Sequence, residues 1–122
     1  MFKVVDDKRI RNMDIAYKDR ECTDCLCVVF HPIECTPVEV YREQRTKCMF
    51  DLGVHYLVMP NGTVYLGVPS KGHADILYDH SDTGVYVMMV GCEDMKSMTD
   101  AQHHVLHALQ EKLHIHTLLY EG

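Results

Sequence analysis

Val54-His55-Tyr56-Leu57-Val58-Met59, Pro60-Asn61-Gly62 and Thr63-Val64-Tyr65-Leu66-Gly67-Val68 carry the clearest local signal in the chain. Two runs rich in β-branched and aromatic residues flank an Asn-Gly dipeptide, which tolerates positive φ, so the stretch predicts a β-hairpin closed by a tight turn. Upstream, Cys25-Leu26-Cys27-Val28-Val29-Phe30 is continuously apolar and stops at His31-Pro32. An unbroken apolar run of this length fits a strand covered on both faces, and the proline ends it, which leaves His31 at a strand terminus. Downstream, Gly84-Val85-Tyr86-Val87-Met88-Met89-Val90-Gly91 predicts a second buried strand for the same reason.

Helices are expected in two places. Thr99-Asp100-Ala101-Gln102 pairs an N-cap threonine with a glutamine three positions on, a capping box. From there Val105, Leu106, Leu109 and Leu113 follow helical spacing to about His114, while His103, His104 and His107 fall mostly on the other face. Between Val38 and Lys47, Val38, Val40 and Tyr41 stand among charges and predict a shorter helix. Residues 1–21 are charged and poorly periodic; 1–16 are read as an arm, with Met13, Ile15 and Tyr17 as candidates for an edge strand. Pro69 to Asp82 is rich in Gly, His, Asp and Ser and predicts a long irregular loop of the kind that carries function, with Lys71, His73, Asp79 and His80 as its polar candidates. The whole predicts one α/β domain over residues 1–122, a central mixed β-sheet flanked by helices.

Composition narrows the function. A chain of 122 residues with 47% hydrophobic and 25% charged residues suits one domain with a core that needs no disulfide or metal staple. Twelve basic against eighteen acidic residues give a net charge of −6, which opposes non-specific attraction to DNA or to an anionic membrane. No apolar run approaches the roughly 20 residues that span a bilayer, and Met1 to Arg9 lacks a leader's apolar stretch, so a soluble, cytoplasmic protein is expected. In that compartment the six cysteines read as free thiols; Cys25 and Cys27 alternate with Leu26 and Val28 as small core residues do.

Four segments in one order carry a resemblance: the strand ending Val29-Phe30-His31; Asp51-Leu52-Gly53-Val54-His55-Tyr56 with Asn61-Gly62-Thr63-Val64; Gly72-His73-Ala74; and Gly84-Val85-Tyr86-Val87 before the Thr99-Asp100-Ala101-Gln102 helix. Together they resemble the type-2 N-acetylmuramoyl-L-alanine amidases, a family shared with peptidoglycan recognition proteins. Tyr17 to Asp24 is most similar to the start of small phage lysozyme-amidases, some of which also bind and inhibit an RNA polymerase. The resemblance runs from about Tyr17 to Gly122 and implies a groove for a glycopeptide across one face of the sheet.

Zinc-assisted amide hydrolysis needs three protein ligands, an open position for water and a group that steadies the oxyanion. The resemblance makes His31 the first ligand. The family's second and third ligands and its catalytic Lys or Thr follow a segment resembling Thr117 to Gly122, where this sequence stops, so the C-terminal part of the family fold is expected to be missing. Independently, the family's catalytic Tyr directly precedes the residue that is His55 here, and that position is Val54, which donates no hydrogen bond. His114 and His116 form an H-x-H pair that two strand positions would turn to one side, although here they fall at a helix-to-strand transition, and His103 with His107 has the i, i+4 spacing of a helical metal pair. The blander reading of His103, His104 and His107 is a solvated helix face. The resemblance also places His31, His55 and His73 along the groove, with His80 and Lys71 near them in sequence; two histidines there can act as general acid and base, and Lys71 can hold phosphate. Three readings follow: a descendant of the amidase fold that has lost the zinc site and acts as an inhibitor by binding a peptidoglycan fragment, a small ligand or a target enzyme such as an RNA polymerase; a zinc amidase; and a metal-free histidine hydrolase of a phosphodiester or nucleotide.

Overall fold

The computed structural model describes residues 3–10, 23–46, 52–68 and 83–121. Along these residues run β1 (Val4–Val5), β2 (Cys25–His31), α1 (Pro37–Thr46), β3 (Tyr56–Val58), β4 (Val64–Leu66), β5 (Gly84–Val90), α2 (Asp100–Leu113) and β6 (Leu118–Glu121). The strands make one six-stranded mixed sheet in the order β1-β4-β3-β5-β2-β6. β3, β5, β2 and β6 are parallel; β4 runs antiparallel to β3, and β1 pairs parallel with β4.

That order explains where the helices go. The connection from β2 through α1 reaches β3, stepping over β5 in one direction; the connection from β5 through α2 reaches β6, stepping over β2 in the other. Such crossovers share one hand, so opposite directions put the two helices on opposite faces of the sheet. The side chains agree: Leu26, Val28, Val85, Val87 and Met89 pack with Val105, Leu106 and Leu109 of α2. Cys25, Cys27, Val29, Tyr86, Met88 and Val90 pack with Val40 of α1 and with Ile10. The alternation within each central strand therefore feeds two cores, which is why both strands are apolar throughout.

The hairpin is present, and its turn is Pro60-Asn61-Gly62, as expected. Met59 N–H donates to Thr63 O at 2.9 Å, and Gly62 N–H donates to Met59 O at 2.9 Å, with Gly62 at φ +88. This is a three-residue loop with glycine in the left-handed position. The reason is Pro60: a two-residue loop would need its N–H to close the ladder, and proline has none. Asn61 Oδ1 accepts from Thr63 N–H at 3.0 Å and holds the loop shut.

The capping box of α2 is formed as expected, with Thr99 Oγ1 accepting from Gln102 N–H at 3.1 Å and Gln102 Oε1 accepting from Thr99 N–H at 3.1 Å. Gln102 is fully buried, and its Nε2 also donates to Val90 O at 2.9 Å and Val58 O at 3.2 Å, tying α2 to the ends of β5 and β3. At its other end α2 stops at His114, which takes the left-handed conformation, φ 55. The region read as an arm is tied down where it is described: Val4 and Val5 pair with Val64 and Tyr65, and Ile10 is buried. Met13, Ile15 and Tyr17 lie outside the described residues. No helix among the described residues is long and apolar enough to cross a membrane.

Candidate functional site

In open α/β sheets, ligands gather outside the carboxyl ends of adjacent strands whose connections diverge to opposite faces. Here those strands are β2 and β5, and the residue that closes β2 is His31. Its carbonyl accepts from Gly91 N–H at 2.7 Å, so the last turn of β5 is fastened to it. The imidazole is almost wholly covered, its side chain only 8% exposed.

Both ring nitrogens are engaged. Nδ1 lies 2.7 Å from Ile33 O, and Nε2 lies 2.7 Å from Glu43 Oε2 on α1. Each partner is an oxygen acceptor, so each contact is a hydrogen bond when that nitrogen carries a proton, and the Glu43 contact is an ion pair when both do. Cys35 Sγ stands 4.0 Å from Nδ1. Burial pushes the Cys35 thiol above its ordinary range, and the Glu39 and Glu43 carboxylates push in the same direction, which disfavours a thiolate.

A zinc ligand has to turn a nitrogen lone pair onto the metal. At His31 each nitrogen instead faces an oxygen, and no group of three or more His, Cys, Asp or Glu residues suited to a metal occurs among the described residues. The described donor set therefore does not fit a three-ligand zinc centre. Val54, where the resemblance asks for a tyrosine hydroxyl, is buried in the core shared with α1.

His55 has a different setting. Its ring is 1% exposed, and Nδ1 accepts from Tyr86 N–H at 3.0 Å while its backbone N–H donates to Tyr86 O at 3.0 Å. The side chain thus extends the β3–β5 ladder by one rung, and an Nδ1 that accepts leaves the ring proton on Nε2. His31 closes β2 opposite Val90, whereas His55 stands just before β3 beside Tyr86, so the two sit at different heights along β5; His73, His80, Lys71 and Asp79 lie outside the described residues. On α2, His104 and His107 are exposed and His103 is half-buried. His114 caps the helix and His116 precedes β6, both exposed, so the H-x-H pair sits on a turn and not on a strand.

Sequence reasoning missed Glu43 and Cys35: Glu43 comes from α1, the helix that follows the strand ending in His31, and Cys35 from the loop that joins them.

No protein-family model matches the chain, and no curated protein matches it by sequence. Solved structures do match its fold. Drosophila peptidoglycan recognition protein SD superposes with a TM-score of 0.71 at 14% identity, over 98% of this chain and 83% of that one. The Ph2119 endolysin from Thermus scotoductus bacteriophage Ph2119 gives 0.70 at 16% identity, over 97% and 84%. The N-acetylmuramoyl-L-alanine amidase LysC from Clostridium intestinale gives 0.66 at 16% identity, over 98% and 83%. The chain has the fold that amidases and peptidoglycan recognition proteins share.

Proposed function

We propose that this chain uses the amidase fold to bind a peptidoglycan-type fragment without hydrolysing it, and acts by occupying that ligand or a target enzyme as an inhibitor does. The observation that carries the reading is His31, whose two nitrogens each face an oxygen acceptor, Ile33 O and Glu43 Oε2. Val54 supports it separately, since a buried valine supplies no hydrogen bond to an oxyanion. Structures of the same fold carry the names of both amidases and recognition proteins, so the scaffold suits either use. A target such as an RNA polymerase is the part of the proposal that rests on Tyr17 to Asp24, of which Thr23 and Asp24 are described. A cytoplasmic setting belongs to the same proposal and is supported by Cys25, Cys35 and Cys92, which form no disulfide.

The test is calorimetric titration of the purified protein with a muramyl peptide, in parallel with a cell-wall assay for released stem peptide, each with and without added zinc. Saturable binding, equal with and without zinc, and no release is the expected result. Near-stoichiometric zinc that disappears in His31→Ala, together with release of stem peptide, overturns the proposal and makes the protein a zinc amidase.

A further inference from the structure

The hairpin turn and the start of α2 border an open cavity of about 210 Å³. Lys3, Asn61, Thr63 and His104 stand around it, and Ala101 and Val105 line its apolar part. The wall is built tightly: a Cβ added at Gly62 would sit 3.1 Å from Ala101 Cβ, so the turn rests on the helix there. The backbone of Lys3 is fixed as well, its carbonyl accepting from Val64 N–H at 2.8 Å.

The polar groups around the cavity are all donors left open to solvent or a ligand. Asn61 uses its Oδ1 on Thr63 N–H, which leaves its amide N–H groups to spare. The Lys3 ammonium, the Thr63 hydroxyl and the His104 ring have no hydrogen-bond or ion-pair partner among the described residues. All four can donate. The chain has a net charge of −6, yet none of the carboxylates among the described residues lines this cavity. Four donor-bearing residues around one cavity, with one fixed positive charge among them, suit a monoanion, and the Ala101 and Val105 side chains suit a short aliphatic body beside it. A space of this size is below the roughly 300 Å³ of drug-sized sites, so the ligand is small.

We propose that this cavity binds a small aliphatic carboxylate, its oxygens on Lys3, Asn61, Thr63 and His104 and its carbon chain on Ala101 and Val105. The site is independent of the His31 groove, and it stands or falls whether or not that groove binds glycopeptide.

The test is a backbone-amide and histidine-ring NMR titration of the full chain with isobutyrate, acetate and inorganic phosphate. Isobutyrate should shift Gly62, Thr63, Ala101, His104 and Val105 saturably, with a Kd in the millimolar range fitting so small a ligand. Acetate should bind the same residues about fivefold more weakly, since it lacks the aliphatic carbons. Lys3→Gln should weaken isobutyrate about fivefold by removing an exposed charge, and the same spectra show that the variant remains folded. Absence of saturable shifts with isobutyrate, or an unchanged affinity in Lys3→Gln, overturns the site. Phosphate binding more tightly than isobutyrate overturns the assignment to a carboxylate.

Discussion

Gln102→Met separates hydrogen bonding from packing at the joint between α2 and the sheet. Methionine matches glutamine in length and suits a fully buried position, so the substitution leaves little cavity behind. What it removes is three hydrogen bonds: Nε2 to Val90 O at 2.9 Å, Nε2 to Val58 O at 3.2 Å, and Oε1 from Thr99 N–H at 3.1 Å. At a net value of about 1 kcal/mol each the loss is about 3 kcal/mol, with the orphaned strand carbonyls pushing it upward. For a domain of this size that lowers Tm by about 10 °C. Urea denaturation followed by far-UV circular dichroism should show a lower midpoint with an unchanged slope. A loss below about 1 kcal/mol would refute the view that Gln102 clamps the two strand ends, because an apolar side chain would then serve equally well. Gln102→Glu sharpens the test through pH. It sets a carboxylate against two carbonyl oxygens, which raises its pKa in the folded state. Stability is then greater under mildly acidic conditions, where the carboxyl is protonated and can donate, and is lost as pH rises.

Three further outcomes follow from particular positions. Gly67→Ala should cost more than about 3 kcal/mol, because its Cβ would collide with the Val54 carbonyl. Hydrogen bonds from Val68 N–H to Val54 O and from Gly67 N–H to His55 O, both 2.9 Å, prevent either strand from moving aside, and a wild-type melting curve would contradict this. His114→Gly should stabilise the protein by about 0.5–1 kcal/mol by relieving a side chain held at φ 55, and a lower urea midpoint would count against that account. Cys92 is buried and its thiol is pushed up to about 11, first by burial and then by the Asp94 charge, so ~0.1% of it is thiolate at pH 8. Iodoacetamide followed by mass spectrometry should leave Cys92 unmodified in the native protein and modified in urea; labelling at the rate of a free thiol in the native protein would show the burial to be wrong.

Local pattern carried much of the fold. The apolar runs around Cys27 and Tyr86 reported two-sided burial, and Thr99 with Gln102 reported a helix start, because periodicity and capping depend on near neighbours. The hairpin was legible for the same reason: Pro60 has no N–H to close a two-residue loop, which fixes the three-residue one. The polar pairings were not legible. Glu43 reaches His31 from 12 residues away, His55 bonds Tyr86 from 31 residues away, and Gln102 bonds Val58 from 44 residues away. Hydrophobic pattern tells which face is covered but not which polar atoms meet there. His55 shows the limit plainly, since a histidine expected along a groove uses a ring nitrogen as a backbone acceptor inside the sheet.

The divergence of the two crossovers makes the sheet a partition. Val40 and Leu106 sit in separate apolar compartments, so substitutions under α1 and under α2 are felt independently. His31 and the turn residues beyond it belong to neither compartment's filling; they are fittings on the rim, held by strands that the two cores keep in place. Chemistry at such a rim can be gained, altered or abandoned while the scaffold beneath remains intact, and a lineage that gives up hydrolysis keeps a ready-made surface for another use.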